Sequence, residues 1–310
     1  MDVTKYVEPK GENQDARVVE LKLLPGRSAE EAAADYIKVL GKRCRGERHD
    51  MHSPLTDVDS KFPGWLHPGR LIVVAARPSV GKTSLAQLIA EHCAEHHGAA
   101  AIFSLEMNEE EILDRSISRR SGYSMHELRN ADQATAAEVI EDVERFGALP
   151  LHIDDRSDSI DEIIDVIRRL HMQLRDTEHP LRVVMVDYLQ LVLAAGGNRA
   201  EQVGAVSRAL KRAALDLGIA VLALSQLNRD IEKRTHTKPL LSDLRESGSI
   251  EQDADIVIGL WRDMGDDGVQ QSGTAEVIVL KNRHGQRGSV EVAWIGERTL
   301  FADLAAGVDL

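Results

Sequence analysis

The chain has 310 residues, of which 43% are hydrophobic, and its formal net charge is −13 at pH 7. This length supports one large core with a short appendage. The acidic balance argues against a broad basic surface that clamps duplex DNA by charge, but it is compatible with nucleic acid held in a narrow channel. With no apolar run of membrane-spanning length, no secretory signal pattern and only two cysteines, we expect a cytoplasmic protein without a membrane span.

The N-terminal region is predicted to lie outside the main core. Residues 1–27 are polar and aperiodic, and we interpret them as a flexible or partner-docked arm. Ser28 and Glu31 then match a capping box, and apolar residues at helical spacing predict a helix over 28–46. Its single apolar stripe fits packing on its own domain as well as on a neighbouring subunit. Residues 45–65, rich in charge, His and Pro, are interpreted as a connector.

The remainder, 47–310, is predicted to be one α/β domain. Apolar runs alternate with helical patterns, which is typical of a mostly parallel sheet covered by helices. The predicted strands are Leu71–Ala75, Ala100–Leu105, Leu151–Ile153, Val183–Val186, Ala220–Leu224, Ile256–Trp261 and Ala275–Leu280. The predicted helices are 83–97, 109–120, 132–146, 159–173 and 200–217. Beyond these elements, short alternating strands over 290–294 and 299–302 predict antiparallel hairpins that finish the sheet.

The loop after the first strand of this domain carries the pattern of a phosphate-binding P-loop. It ends in Gly-Lys-Thr and leads directly into an amphipathic helix, which is the context in which backbone N–H groups cradle a triphosphate. Lys82 would reach the β and γ phosphates, and the Thr83 hydroxyl would bind Mg²⁺. Ala76 stands where the motif has its first glycine, so its φ must be negative. The residues that we expect to bind nucleotide are Ser79, Gly81, Lys82, Thr83 and Ser84.

Two carboxylates are predicted at the carboxyl ends of buried strands, where ligands gather in open α/β folds. Asp187 would hold Mg²⁺ opposite Thr83, although a strand-end Asp that caps the next turn gives the same pattern. Glu106 would lie near the γ-phosphate as the general base that orients or deprotonates the attacking water. The alternative is that Glu106 caps the following helix, a role that Asn108 also fits.

Three other groups of polar residues are candidates by position. Gln226 follows a predicted strand and would contact the γ-phosphate. Lys281 and Arg283 leave the strand that ends at Leu280 toward a glycine turn, and spacing alone favours a solvated basic turn there. The spacings of five histidines fit no zinc template, and we expect those on the helix to form its polar face. These histidines are His49, His52, His92, His96 and His97.

Residues 242–255, with the sequence SDLRESGSIEQDAD, closely resemble the C-terminal motor domain of DnaB-type replicative DNA helicases. The same family has sequences similar to four further segments, in the same order along the chain. These segments are 76–83, 104–107, 187–190 and 224–229. The resemblance covers roughly residues 55–305, and the five motifs together are highly specific.

The resemblance implies a RecA-like core that assembles into a ring, usually a hexamer, with ATP and Mg²⁺ bound between subunits. Lys82, Thr83 and Asp187 match the nucleotide and Mg²⁺ positions of the family. Glu106 matches its catalytic glutamate and Gln226 its phosphate sensor. Arg115 is implied to lie beside the adenine.

Other matched positions imply contacts with a neighbour and with DNA. Lys281 and Arg283 match the basic pair that reaches into the next subunit's site, with Arg283 as the arginine finger. Arg245, Glu246 and Gly248 fall where the channel loop of the family meets the single-strand backbone. The 28–46 helix matches a linker helix that docks on the adjacent motor domain.

The function implied is an ATP-dependent DNA helicase, a 5′→3′ translocase on single-stranded DNA that acts in replication in a bacterial cytoplasm, either bacterial or phage-encoded. A helicase loader is a further implied partner. Family members usually carry an N-terminal collar that binds primase, and residues 1–27 do not supply one, so a primase interaction stays open. Ring closure is then expected to rest on the motor and linker.

Two alternatives are weighed against this function. Residues 281–285 also resemble a RadA-like recombination ATPase, whose usual zinc-binding cysteines and protease-like tail are missing here. The other alternative is a nucleotide-switched loading or assembly module that does not unwind DNA. A direct unwinding assay separates this module from a helicase.

Overall fold

The computed structural model describes residues 5–7, 18–20, 28–45, 50–234, 236–244, 248–263 and 273–304. The chain divides into two compact units, Met1–His49 and Asp50–Leu310. In the first unit, strands β1 (Lys5–Val7) and β2 (Val18–Glu20) pair antiparallel, within a stretch for which the polar pattern predicts no strand. Helix α1 (Ala29–Cys44) follows, and its capping box forms as predicted, with the Glu31 N–H donating to Ser28 Oγ at 3.1 Å.

The second unit is built on a nine-stranded sheet with helices on its faces. Its strands are β3 (Leu71–Ala76), β4 (Ala100–Ser104), β5 (Leu151–Asp154), β6 (Val183–Asp187), β7 (Ala220–Gln226), β8 (Ile256–Trp261), β9 (Thr274–Asn282), β10 (Gly288–Ile295) and β11 (Leu300–Ala302). Its helices are α2 (Thr56–Lys61), α3 (Lys82–His96), α4 (Glu109–Ser121), α5 (Met125–Arg129), α6 (Gln133–Gly147), α7 (Ile160–Leu174), α8 (Arg199–Leu217) and α9 (Gly248–Asp253). Three short 3₁₀ helices cover Arg229–Lys233, Leu241–Asp243 and Gly296–Arg298. No helix of the described ranges is long and apolar enough to cross a membrane.

The strand order is β11-β10-β9-β8-β3-β7-β6-β4-β5. The strands from β8 to β5 in this order are parallel, whereas β9, β10 and β11 pair antiparallel at one edge. The predicted fold class is therefore confirmed, including the change to antiparallel strands near the C-terminus. Because β3 is the fifth of the nine strands in this order, the loop that follows its carboxyl end opens near the centre of the sheet.

Alternate residues of β3 feed two hydrophobic cores, one on each face of the sheet. Ile72 and Val74 point to the core shared with α3, whereas Leu71 and Val73 point to the core shared with α7 and α8. All six residues of β3 are buried. A strand buried on both faces reads as a continuous apolar run, which is why this strand was predictable.

The predicted connector over 45–65 is wrong from Met51 onward. Met51, Leu55, Phe62 and Trp65 are buried in the core that also contains α3, and helix α2 lies within this stretch. Together with Val58, these apolar residues recur at intervals of four, three, four and three, which is close to the helical period of 3.6, so a helical signal was present among the charged residues. The segment is part of the fold rather than a spacer.

Candidate nucleotide-binding and catalytic site

The loop between β3 and α3 has the backbone shape that a phosphate cradle needs. Ala76 is the last residue of β3 and has the extended backbone of a strand. Its φ is therefore not in the positive region that only glycine adopts freely, so alanine can replace the first glycine of the motif. Ser79 (φ 63°) and Gly81 (φ 108°) both have positive φ, and Gly81 precedes the first residue of α3. A Cβ at Gly81 would lie 2.9 Å from Phe301 Cζ, so only glycine fits this close approach. The amino end of a four-turn helix therefore opens into the loop.

Lys82, Thr83 and Asp187 form a hydrogen-bonded group at the first turn of α3. The Lys82 amine donates to Asp187 Oδ1 at 2.6 Å, and the Thr83 hydroxyl donates to Asp187 Oδ2 at 2.6 Å. Asp187 is fully buried at the end of β6. Its carboxylate is thus directed across the sheet edge to the P-loop, and not to the following turn.

Glu106 lies on the other side of the same lysine. Its Oε2 accepts from Lys82 Nζ at 3.1 Å, and its side chain is half exposed toward the loop. Asn108 caps helix α4 in a capping box with Glu111. The capping role open to Glu106 is therefore taken by Asn108, which leaves the Glu106 carboxylate available to a ligand.

An open cavity of about 340 Å³ connects these groups. The predicted residues that line it are Ser79, Gly81, Lys82, Thr83, Ser84, Glu106, Arg115 and Gln226. Gln226 lies beside Ala76 in the parallel register of β7 and β3. Arg115 approaches from α4, and burial, followed by the charge of Arg119, lowers its pKa. Predicted residues from four separate stretches of the chain thus meet around one cavity.

Sequence reasoning missed several residues of this cavity. Tyr188, Trp294 and Thr299 also line it, together with Arg77 of the loop itself. The Lys82 amine lies 4.7 Å from the centroid of the Tyr188 ring. Tyr188 lies in the segment 187–190 that resembles the helicase family, but no role was predicted for its side chain. Trp294 and Thr299 reach the cavity because strands β10 and β11 fold back beside the P-loop, which no local pattern indicates.

The structure does not bring Lys281 and Arg283 to this cavity. They lie where β9 pairs with the amino end of β8, at the opposite end of β3 from the P-loop. Asn282 of β9 pairs with Ile256 of β8, which in turn pairs with Ile72 of β3. Ala76 lies four residues farther along β3 than Ile72, a distance of about 13 Å. The Lys281 amine donates to the carbonyls of Glu251 and Ala254, the latter at 2.7 Å.

Arg283 makes similar contacts to the end of helix α9. Its guanidinium donates to the Gln252 carbonyl, and it lies 3.7 Å from Asp255 Oδ1. Spacing favoured a solvated basic turn at Lys281 and Arg283. In the structure, both cations also bind carbonyl groups where α9 ends. Positive charge is favourable at that end of a helix.

The predicted DNA-binding positions are only partly described. Arg245 and Glu246 lie outside the described residues. Gly248 is the first residue of α9, and a Cβ there would meet no atom within 4 Å.

The residues of the P-loop fit both a nucleotide and a divalent cation. Thr83 Oγ1 and Asp187 Oδ2 are 2.6 Å apart, close to the separation of about 3 Å between adjacent oxygen ligands of octahedral Mg²⁺. Hydroxyl and carboxylate oxygens are the donors that this cation prefers. The amino end of α3 and the Lys82 amine provide positive charge for phosphate.

The sheet order, the P-loop and the strand-end carboxylates define the class of RecA-like P-loop NTPase domains. Residues 50–303 match the model of the DnaB-like helicase C-terminal domain, and the chain belongs to that family. The replicative DNA helicase DnaB of Pasteurella multocida is 37% identical over 295 residues, which cover 90% of this chain and 61% of that protein.

Two solved structures have the same fold. One, described as an ATPase domain, has a TM-score of 0.79 and 30% identity, and the match covers 90% of this chain and 99% of that one. The other, a DnaB-like replicative helicase described with its interactions with primase, has a TM-score of 0.77 and 31% identity over 90% of this chain and 68% of that one. The chain spans about 60% of the length of the curated relatives it matches.

Proposed function

We propose that the chain is the motor of an ATP-dependent DNA helicase, which assembles into a ring and moves 5′→3′ along single-stranded DNA during replication. The observation that carries this proposal is the arrangement of Lys82, Thr83 and Glu106 around one cavity, with the buried Asp187 hydrogen-bonded to Lys82 and Thr83, in a chain of the DnaB-like family. The names of the curated relatives, which are replicative DNA helicases, support the same activity.

The proposed chemistry is in-line hydrolysis of the γ-phosphate of ATP. Thr83 and Asp187 would hold a Mg²⁺ ion, which would neutralise charge on the phosphates of the nucleotide when bound. Lys82 neutralises the phosphate oxygens, and Gln226 contacts the γ-phosphate. Glu106 orients the attacking water and takes its proton, a role that its half-exposed carboxylate suits.

The site is proposed to be completed by a neighbouring subunit. Arg283 and Lys281 are too far along the sheet to serve the P-loop of their own chain, whereas a ring neighbour can present them to it. A cation supplied in trans stabilises charge in the transition state, so hydrolysis depends on assembly. We propose a hexamer, with helix α1 packed on the adjacent motor domain, on the basis of the family resemblance.

Single-stranded DNA is the proposed substrate of the channel, gripped through Arg245, Glu246 and Gly248. A few phosphates held by each subunit require no broad basic face, which fits a chain of net charge −13. A helicase loader is a proposed partner in the bacterial cytoplasm. A primase contact is named for one structural neighbour and stays open for this chain.

The test is strand displacement from forked DNA with ATP and Mg²⁺. We expect the wild-type chain to unwind forks that carry a 5′ tail, and Lys82→Ala to lose both unwinding and ATP hydrolysis because the phosphate loses its main cation. Arg169→Ala, which removes an exposed cation on α7, serves as the control and should behave as wild type. Unwinding that survives Lys82→Ala, or requires only a 3′ tail, would contradict the proposal.

A further inference from the structure

Four histidines from two parts of the chain form one cluster at the carboxyl end of helix α3. His92 and His96 are one turn apart on α3, His97 follows the helix, and His52 comes from the segment before α2. His92 Nε2 lies 2.8 Å from His52 Nδ1, and the His52 backbone N–H donates to His97 Nε2 at 3.1 Å. Spacing along the chain predicted only that the histidines of α3 form its polar face. The fold, and not the local sequence, brings His52 to the end of that helix.

The geometry is close to that of a three-histidine metal centre. One ring nitrogen each from His52, His92 and His97 lies within 4.8 Å of the other two. Nitrogens bound at 2.0–2.1 Å to tetrahedral Zn²⁺ are about 3.4 Å apart. Small rotations of the rings therefore bring all three nitrogens onto one ion, with the fourth position open to water.

The backbone that carries these histidines is fixed by buried contacts. The residues on either side of His52 are buried, and the Ser53 N–H donates to Asp59 Oδ2 at 2.7 Å. On the other element, Cys93 and Ala94 of α3 are buried in the same core. The ligands are thus held in place before any ion binds, which lowers the entropic cost of forming the site.

We propose that His52, His92 and His97 form a binding site for a transition-metal ion of the Zn²⁺ type, separate from the Mg²⁺ position at the P-loop. The ion would clamp the segment before α2 to the carboxyl end of α3, the helix whose first residue is Lys82. This site does not depend on the proposed helicase activity.

The test is Zn²⁺ titration of the full chain after chelator treatment, in competition with a chromophoric chelator. Excess Mg²⁺ without nucleotide keeps the P-loop carboxylates out of the measurement. We expect one Zn²⁺ per chain, and at least tenfold weaker binding in both His52→Gln and His92→Gln. His152→Gln, an exposed histidine on β5, is the matched control and should bind Zn²⁺ as wild type does.

A second readout uses Co²⁺, whose visible absorption reports tetrahedral coordination, and the melting temperature, which a bound ion raises by mass action. Both signals should appear in wild type and disappear in His52→Gln. Absence of Zn²⁺ binding by wild type would overturn the proposal. So would Zn²⁺ affinity unchanged in both His52→Gln and His92→Gln, or loss of binding in His96→Gln alone, which would assign the ion to His92, Glu95 and His96.

Discussion

Lys82 holds the two carboxylates of the site together, because its amine contacts Asp187 at 2.6 Å and Glu106 at 3.1 Å. The two acids differ in environment. Asp187 is fully buried and bonded through both oxygens, whereas the Glu106 side chain is half exposed. A buried, fixed carboxylate suits a metal ligand, and an exposed one that can move suits a group that handles water.

This difference leads to a prediction for Glu106→Gln. The amide keeps the shape of the side chain but cannot take a proton, so hydrolysis should fall by about 10²–10⁴-fold. Nucleotide affinity should stay within a few-fold of wild type, since the P-loop contacts are unchanged. The measurements are phosphate release and fluorescent-nucleotide titration.

Glu141→Gln, an exposed glutamate on α6, is the matched control for that variant and should hydrolyse ATP at the wild-type rate. Hydrolysis by Glu106→Gln within threefold of wild type would exclude Glu106 as the general base.

At the scale of elements, the turn from β3 into α3 depends on Gly81. Its φ of 108° and the 2.9 Å approach of Phe301 Cζ to an added Cβ both oppose any side chain. We predict that Gly81→Ala lowers nucleotide affinity at least tenfold, because the loop must shift to relieve this contact. Isothermal titration with nucleotide measures the effect.

Gly218 offers a control that separates backbone strain from contact. Its φ is 64°, but an added Cβ would meet nothing within 4 Å. Gly218→Ala should therefore lower the free energy of unfolding by about 1–2 kcal/mol through its left-handed backbone alone, with nucleotide affinity unchanged. If Gly81→Ala binds nucleotide as tightly as wild type, the close approach of Gly81 to Phe301 of β11 does not determine the shape of the P-loop.

Elements whose signals are local were predictable from the sequence. Asp187 and Glu106 end buried parallel strands, and such strands bring their carboxyl ends to one sheet edge. Trp294 was not predictable as a cavity residue, because its position depends on how β10 and β11 fold back. The approach of His52 to α3 also depends on contacts across the chain, which no periodicity encodes.

At the scale of the whole molecule, the separation of Arg283 from the P-loop of its own chain is the central feature. A site shared between subunits predicts complementation between two inactive variants. Lys82→Ala would lack a working P-loop, and Arg283→Ala would lack the cation that we propose is offered to a neighbour. Mixed under conditions of subunit exchange, the two should regain ATP hydrolysis, since about one interface in four is then intact.

The control for this mixing experiment is Lys82→Ala combined with the double variant Lys82→Ala/Arg283→Ala, which contains no working P-loop and should stay inactive. Failure of the two single variants to complement in any ratio would indicate a self-contained site. Circular dichroism of Arg283→Ala checks that loss of its contacts to Gln252 and Asp255 leaves the fold intact.

We propose that this nucleotide site drives movement on single-stranded DNA. The most direct measurement is the rate of ATP hydrolysis by the wild-type chain with and without single-stranded DNA, at fixed protein concentration and low salt. The proposed translocase predicts a several-fold rise on addition of the DNA, absent in Lys82→Ala. A wild-type rate that is the same with and without single-stranded DNA would contradict it.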